Sequence, residues 1–177
     1  MSRTLDAVGP LEGFLATWSR ALRTFGQGDP ATGAQFDGGA VLRRLKTEVE
    51  SADPGKHWTG GAARAYGTVN AEHAQVFGKL ADLDARLAAE IAKSAQIVTA
   101  GRAELGEVRD WVVSAASSVP DGQDGQVMLI VSKGLGQLRA ILSRANAELN
   151  AIGAQIQQIG AEYAGLSKQK FAPQRPR

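Results

Sequence analysis

Apolar residues recur along most of this chain at alternating steps of three and four positions, which is the spacing of one helix face. The most regular series lies in the last third: Met128, Val131, Leu135, Leu138, Leu142, Ala145, Leu149, Ile152, Ile156, Ile159, Tyr163 and Leu166. This heptad pattern predicts a helix over about 126–168 that pairs with another helix. We interpret seven of these positions as the pairing seam: Leu135, Leu138, Leu142, Leu149, Ile152, Ile156 and Ile159.

A second long series precedes it and predicts a helix over about 61–119, a stretch that contains no proline. Its phase slips by one extra step of four between Leu87 and Ile91, which is a stutter in the heptad pattern. The turn sequence PDGQDG, residues 120–125, separates the two series. Two heptad helices joined by a tight turn form an antiparallel hairpin, and their lengths correspond to about 90 Å and about 60 Å.

Two shorter helices are predicted before the hairpin, over about 10–25 and 39–52. The first carries a helical stripe of Leu11, Phe14, Leu15, Trp18, Leu22 and Phe25. The breaker cluster GQGDPATG, residues 26–33, separates the two helices. The predicted fold is therefore all-α: an elongated, coiled-coil-like helical bundle on a long antiparallel hairpin, with two shorter N-terminal helices and a Trp-x-Gly turn. We expect one helical domain over 1–170 and a flexible basic tail over 171–177.

Glycine is unusually frequent inside the predicted helices, where each one costs up to about 1 kcal/mol of helix propensity. The positions are Gly101, Gly106, Gly134, Gly136, Gly153, Gly160 and Gly165. Several lie on or beside the seam, so we interpret them as places where helices approach closely.

Composition excludes several classes of protein. The sequence has no cysteine, so it can form no disulfide, thiolate nucleophile or cysteine-based metal site. Lys and Arg number 20 against 18 Asp and Glu, without a basic stripe, which argues against nucleic-acid binding. The longest apolar run, residues 127–131, is too short to cross a bilayer. The N-terminus has no apolar core of signal-peptide length, so we expect no export by the general secretory route.

Catalytic and metal-binding patterns are also missing. His57 and His73 are the only histidines, and neither has a second ligand at helical spacing. Asp82 and Asp84 are two residues apart on a helix, which places them on different faces rather than as an acid/base pair. We expect Asp82 to pair with Arg86 one turn later. The sequence predicts no enzyme, no cofactor and no metal.

The segment Trp58-Thr59-Gly60 lies between the second and third predicted helices. Gly60 lets the chain reverse sharply, because a positive φ costs glycine little. Trp58 can cover the open end of the hairpin while its indole N–H finds a partner. A purely structural role for this turn is therefore one interpretation.

The ordered set around this turn resembles the N-terminal domain of the EspA/EspE group of mycobacterial ESX (type VII) secretion-associated proteins, distant relatives of the WXG and PE/PPE proteins. The resemblance covers roughly 42–119 and is carried by Trp58-Thr59-Gly60, the run Ala62–Tyr66, Asn70, His73, Phe77, Leu80-Ala81-Asp82-Leu83-Asp84 and Ile91. It implies a non-enzymatic protein that is cytoplasmic before export, is exported folded beside a small helical partner, and is then secreted or bound to the cell envelope. It assigns recognition to Trp58, Gly60 and Tyr66, and makes Leu80, Asp82, Leu83 and Asp84 the family motif.

The resemblance also implies a Tyr-x-x-x-Asp/Glu signal, which this sequence lacks. Tyr66 is followed four residues later by Asn70, and Tyr163 by Ser167. We therefore expect a WXG-like partner to supply the acidic signal to the secretion machinery, and homo-oligomers stay possible. Two alternatives are left open: a cytosolic coiled-coil scaffold, and the N-terminal targeting domain of a longer effector.

Overall fold

The structure is a computed structural model that describes residues 9–52 and 58–166, and all regular secondary structure within these ranges is helical. The α-helices are α1 (Pro10–Thr24), α2 (Gly39–Ser51), α3 (Gly61–Ser117) and α4 (Asp124–Leu166), with a short 3-10 helix at Gly33–Phe36 before α2. The prediction of an all-α helical bundle with two long helices is confirmed. The stutter near residues 87–91 does not interrupt α3.

The ends of the long helices follow from local chemistry. α3 ends at Ser117, where the N–H groups of Ser118 and Val119 bond to carbonyls three residues back, just before Pro120. α4 begins two residues before the predicted position, because the carbonyl of Gln123 accepts the first bonds of that helix. The predicted tail over 171–177, residues 167–168 of the last predicted helix and the breaker at 53–55 lie outside the described residues.

The chain divides into two compact units, Met1–Pro30 with Ser94–Ala151 and Ala31–Lys93 with Ile152–Arg177. We call them the first unit and the second unit. The division in α3 falls just after the stutter. The prediction of a single domain stays a prediction.

The first unit packs α1 against the C-terminal part of α3 and the N-terminal part of α4. Its core is Phe14, Ala21, Phe25, Leu105, Val112, Val131, Leu138, Ile141 and Ala145. Phe14 is 1% exposed and Phe25 is also buried, while the other apolar side chains of the stripe lie half-buried against this core. The stripe predicted from the sequence is thus the face that α1 buries.

Two helical glycines permit close approach within the first unit. A Cβ atom at Gly101 would lie 2.5 Å from the ring of Phe25, and one at Gly134 would lie 2.9 Å from the ring of Phe14 and also clash with Val112. The other five helical glycines face open space. The close-approach interpretation therefore holds for two of the seven positions.

Polar contacts fix the C-terminal end of α1. The guanidinium of Arg102 donates to the carbonyl of Phe25 at 2.9 Å and to that of Gly28. These carbonyls lie beyond the last helical turn, where an added cation is favourable. The indole N–H of Trp18 donates to the carbonyl of Leu105 at 2.8 Å. α1 is therefore held on α3 by hydrogen bonds as well as by apolar contact.

The second unit packs α2 and the 3-10 helix against the N-terminal part of α3 and the C-terminal part of α4. Its buried side chains are mostly small: Ala63, Ala74, Val76, Ala81, Leu83, Ile152 and Ile159. Gly33 lies directly on the carbonyl of Ala88, so that a side chain at position 33 would overlap the backbone of α3. This unit contains every residue that the sequence assigns to recognition and to the family motif.

Candidate functional site

The Trp-x-Gly turn lies immediately before α3. Gly60 has φ +110°, a conformation that side chains rarely adopt, and its carbonyl accepts the N–H of Arg64 at 3.2 Å. A Cβ atom at Gly60 would meet nothing within 4 Å. Glycine is therefore required here by the backbone conformation rather than by a lack of space.

An aromatic pair is formed by Trp58 and Tyr66. Their ring centroids are 5.7 Å apart at an interplanar angle of 54°, within the favourable range for aromatic contacts. Trp58 is 47% exposed and Tyr66 is 44% exposed. The indole N–H of Trp58 donates to no described residue, unlike that of Trp18. The sequence prediction that the indole N–H finds a partner is therefore not met within the described chain.

Asn70 lies one turn after Tyr66, at the position where the implied signal would carry an acid. Its amide Nδ2 donates to the carbonyl of Val49 at 3.4 Å, near the C-terminal end of α2. A carboxylate at position 70 could not donate this bond. Asn70 thus has a structural contact that its acidic counterpart would lose.

The apolar residues of the motif at 80–84 form part of the core of the second unit. Ala81 and Leu83 are buried, and Leu80 is half-buried. Together they fix the face that α3 presents to its neighbours.

Asp84 joins three helices within the second unit. Its carboxylate accepts a short hydrogen bond from the hydroxyl of Tyr163 on α4. It also lies against Gly38, since a Cβ atom there would be 2.5 Å from its Oδ2. Gly38 is the N-cap of α2, where a negative charge is favourable. Burial, followed by the bond to the Asp84 carboxylate and the charge of that group, raises the pKa of Tyr163 to about 12.

Asp82 is exposed, as expected for a solvated residue, but its expected pairing with Arg86 is wrong. Arg86 instead donates two bonds to the carboxylate of Glu162 on α4, at 2.7 and 2.9 Å. This hydrogen-bonded pairing raises the pKa of Arg86 and lowers that of Glu162. A bidentate carboxylate across the helix pair competes better for a guanidinium than a flexible neighbour on the same helix.

The seven seam positions on α4 differ in burial. Leu138, Ile152 and Ile159 are buried, whereas Leu142, Leu149 and Ile156 are half-buried. Leu135 is 37% exposed. In the first unit the buried residues are Gly134 and Ile141, one position before the predicted seam residues Leu135 and Leu142. The buried face of α4 is turned toward these positions because α1 packs on that side.

Sequence reasoning missed the Asp84–Tyr163 and Arg86–Glu162 contacts. One signal indicates only their approximate place: in an antiparallel hairpin, residues about equally far from the turn face each other. Counting outward from the turn at 120–123 misses both partners by about one helical turn, because Asp84 lies 36 residues before the turn and Tyr163 lies 40 after it, while Arg86 lies 34 before and Glu162 39 after. The count requires the exact centre of the turn, which the sequence alone does not fix.

The described residues contain no group of three or more His, Asp or Glu side chains that could hold a metal ion. His73 lies half-buried on α3, and His57 lies outside the described residues. In the part of the chain that the structure describes, no helix is both long enough and apolar enough to cross a membrane.

Comparison with known proteins identifies a protein family. The model of the EspA/EspE family matches residues 25–107, a range that includes the Trp-x-Gly turn, the aromatic pair and the motif at 80–84. The match begins 17 residues before the range expected from the sequence and ends 12 residues before its end. No curated protein and no solved structure matches the chain.

Proposed function

We propose that this chain, which the model of the EspA/EspE family matches over residues 25–107, is a non-enzymatic substrate of a type VII secretion system, exported folded together with a helical partner. The family match supports an association with type VII secretion. Export, the partner and the absence of catalysis are our proposals. In this proposal the protein is cytoplasmic before export and then secreted or bound to the cell envelope.

The exposed aromatic pair is the observation that carries the proposal. Trp58 and Tyr66 are each nearly half exposed, although large aromatic side chains are among the residues that gain most from burial. Aromatic residues are also enriched in protein interfaces, where they contribute much of the binding energy. A fixed pair of this kind, next to a turn that needs glycine, suits recognition by another protein.

A partner chain supplies the acidic half of the signal in this proposal. Asn70 donates to α2, and the hydroxyl of Tyr163 donates to Asp84, so the acid position of the first Tyr-x-x-x segment and the tyrosine of the second both make contacts within the second unit. A WXG-like helical partner with Tyr-x-x-x-Asp/Glu would present that element on its own helix. The secretion machinery then reads the two chains together.

We expect Trp58→Ala to abolish export while leaving the thermal unfolding midpoint nearly unchanged, because the side chain that it removes is about half exposed. Gly60→Ala should act in the same direction by straining the backbone at φ +110°. The measurement is immunoblotting of culture supernatant and cell lysate from strains with and without a working type VII system.

Trp111→Ala is the matched control, since it removes another partly exposed tryptophan, in the first unit, and should leave export intact. Full export of both turn variants alongside the wild type would refute the recognition role. Retention of the wild-type protein in cells, whether or not the system works, would favour the cytosolic scaffold instead.

A further inference from the structure

We propose that a groove between α1 and α4 in the first unit binds an amphipathic helix of another protein, with acidic residues on both sides of its apolar stripe. The inference rests on the proposed function only in assuming that a helical partner exists, and it names the surface that holds that partner. With the exception of Phe25, the groove residues lie outside the range 25–107 that matches the family.

The groove has a volume of about 700 Å³. Ala21 of α1 and Phe25, its C-cap, line the groove together with Leu138 and Ala145 of α4, and all four are buried in the core. The floor of the groove is therefore fixed by packing, and a partner would find it already formed.

The α4 wall has the spacing that a helix requires. Leu135, Leu142 and Leu149 occur every seven residues, and all three line the groove. Leu135 is 37% exposed and the other two are half-buried, so the stripe is only partly covered within the first unit. A stripe at heptad spacing beside a second helix offers the holes into which side chains of an added helix insert.

Charge selects the class of helix. Arg20 on α1 and Arg139 on α4 both line the groove, and none of the lining residues is acidic. Neither arginine forms an ion pair with a described residue. A helix with Asp or Glu beside its apolar stripe would pair with both guanidinium groups, whereas a basic helix would be repelled.

The same charges argue against a second copy of this chain as the occupant. A symmetric dimer places the same patch of both subunits face to face. Pairing through this groove would bring Arg20 and Arg139 of two chains together without a carboxylate among the lining residues. The complementary surface must therefore come from a different protein.

The test uses the full chain and two synthetic peptides, each about four heptads long, with the same leucine stripe. One peptide carries glutamate and the other lysine at the positions that flank the stripe. In fluorescence anisotropy we expect the wild type to bind the glutamate peptide about tenfold more tightly than the lysine peptide.

The double variant Arg20→Glu with Arg139→Glu should reverse this preference. The matched control, Arg43→Glu with Arg64→Glu, makes the same change in net charge at exposed positions of the second unit and should keep the wild-type preference. Leu135→Glu should weaken binding of the glutamate peptide about tenfold or more. Its control is Leu129→Glu, which alters a leucine of α4 that is 73% exposed and does not line the groove.

Equal affinity for both peptides, no binding of either, or an unchanged preference in the arginine double variant overturns the proposal. So does light scattering that shows a wild-type dimer and a monomer for Leu135→Glu, because a second copy would then fill the groove. The two proposals can fail independently. Absent peptide binding with export still blocked by Trp58→Ala overturns only the groove, whereas the expected peptide binding with normal export of Trp58→Ala overturns only the recognition role.

Discussion

The first and second units bury different kinds of residue. The first unit holds both buried phenylalanines of the described chain, Phe14 and Phe25, together with large aliphatic side chains. In the second unit the buried positions on α3 are mostly alanine, and two polar contacts join α3 to α4: Asp84 accepts a hydrogen bond from Tyr163, and Arg86 donates to Glu162. The two units use the same pair of helices but stabilise the pairing in different ways.

Under the proposed function, this difference places the larger apolar core in one unit and the residues proposed for recognition in the other. Bulky apolar burial contributes most of the free energy of a helical core. A unit that packs small residues and polar bridges gains less from burial, and it leaves its aromatic pair at the surface. The second unit, which contains the Trp-x-Gly turn and the motif at 80–84, is thus the one whose buried side chains are smaller.

The largest expected effect on the free energy of unfolding comes from truncating a large buried side chain of the first unit. Phe14→Ala should lower the free energy of unfolding by about 3–5 kcal/mol, because it leaves a cavity among α1, α3 and α4. Val76→Ala, which truncates a buried residue of the second unit, should cost only about 2 kcal/mol. Urea unfolding gives the total effect, and hydrogen exchange reports each unit separately. Equal costs for the two variants would remove the contrast between the cores.

An intermediate effect should come from a pair of glycines on α4. Gly134→Ala should destabilise the protein by about 1–3 kcal/mol, because its Cβ atom would overlap Val112 and approach Phe14 to 2.9 Å. Gly136→Ala faces open space and should stabilise α4 by about 0.5–1 kcal/mol. Thermal unfolding measures both, and the same sign for both variants would contradict the close approach.

The smallest effect should come from the polar bridge of the second unit. Tyr163→Phe removes the hydrogen bond to Asp84 and should cost about 1 kcal/mol at neutral pH. The pKa of Tyr163 is raised from its ordinary value of 10.0 to about 12, so the folded state holds this proton more tightly than the unfolded state. The resulting stabilisation is complete below pH 10 and is lost as the pH rises through about 12.

Urea unfolding at a series of alkaline pH values checks this dependence. The wild type should lose a component of stability between pH 10 and 12 that Tyr163→Phe lacks. Tyr66→Phe retains Tyr163 and should decline like the wild type. A decline in Tyr163→Phe equal to that of the wild type would show that another group is responsible.

Local periodicity predicted the helices, because the buried face of a helix consists of apolar residues that recur every three or four positions in the sequence. The α1 stripe from Leu11 to Phe25 and the turn at 120–125 needed no knowledge of distant contacts. The resemblance to the EspA/EspE group was likewise visible in ordered local motifs.

Contacts between helices were much less accessible from the sequence. Gly134 and Gly136 look alike in sequence, but in the structure Val112 of α3 and Phe14 of α1 crowd the first, whereas the second faces open space. Arg86 had an acid one turn away at Asp82, yet the exact register of α3 and α4 brings Glu162 closer. The groove beside Leu135 forms because α1 covers one side of α4 and leaves the other side open. The periodicity of α4 does not indicate which side is covered.

Because Gly60 has a positive φ, the chirality of a residue placed at position 60 determines whether the turn can form without strain. A D-amino acid adopts φ near +110° as comfortably as an L-amino acid adopts φ near −110°. D-alanine at position 60, introduced by chemical ligation, should therefore keep the turn that L-alanine strains, although the two residues have the same size. A partner that binds this turn would therefore distinguish D-alanine from L-alanine at position 60.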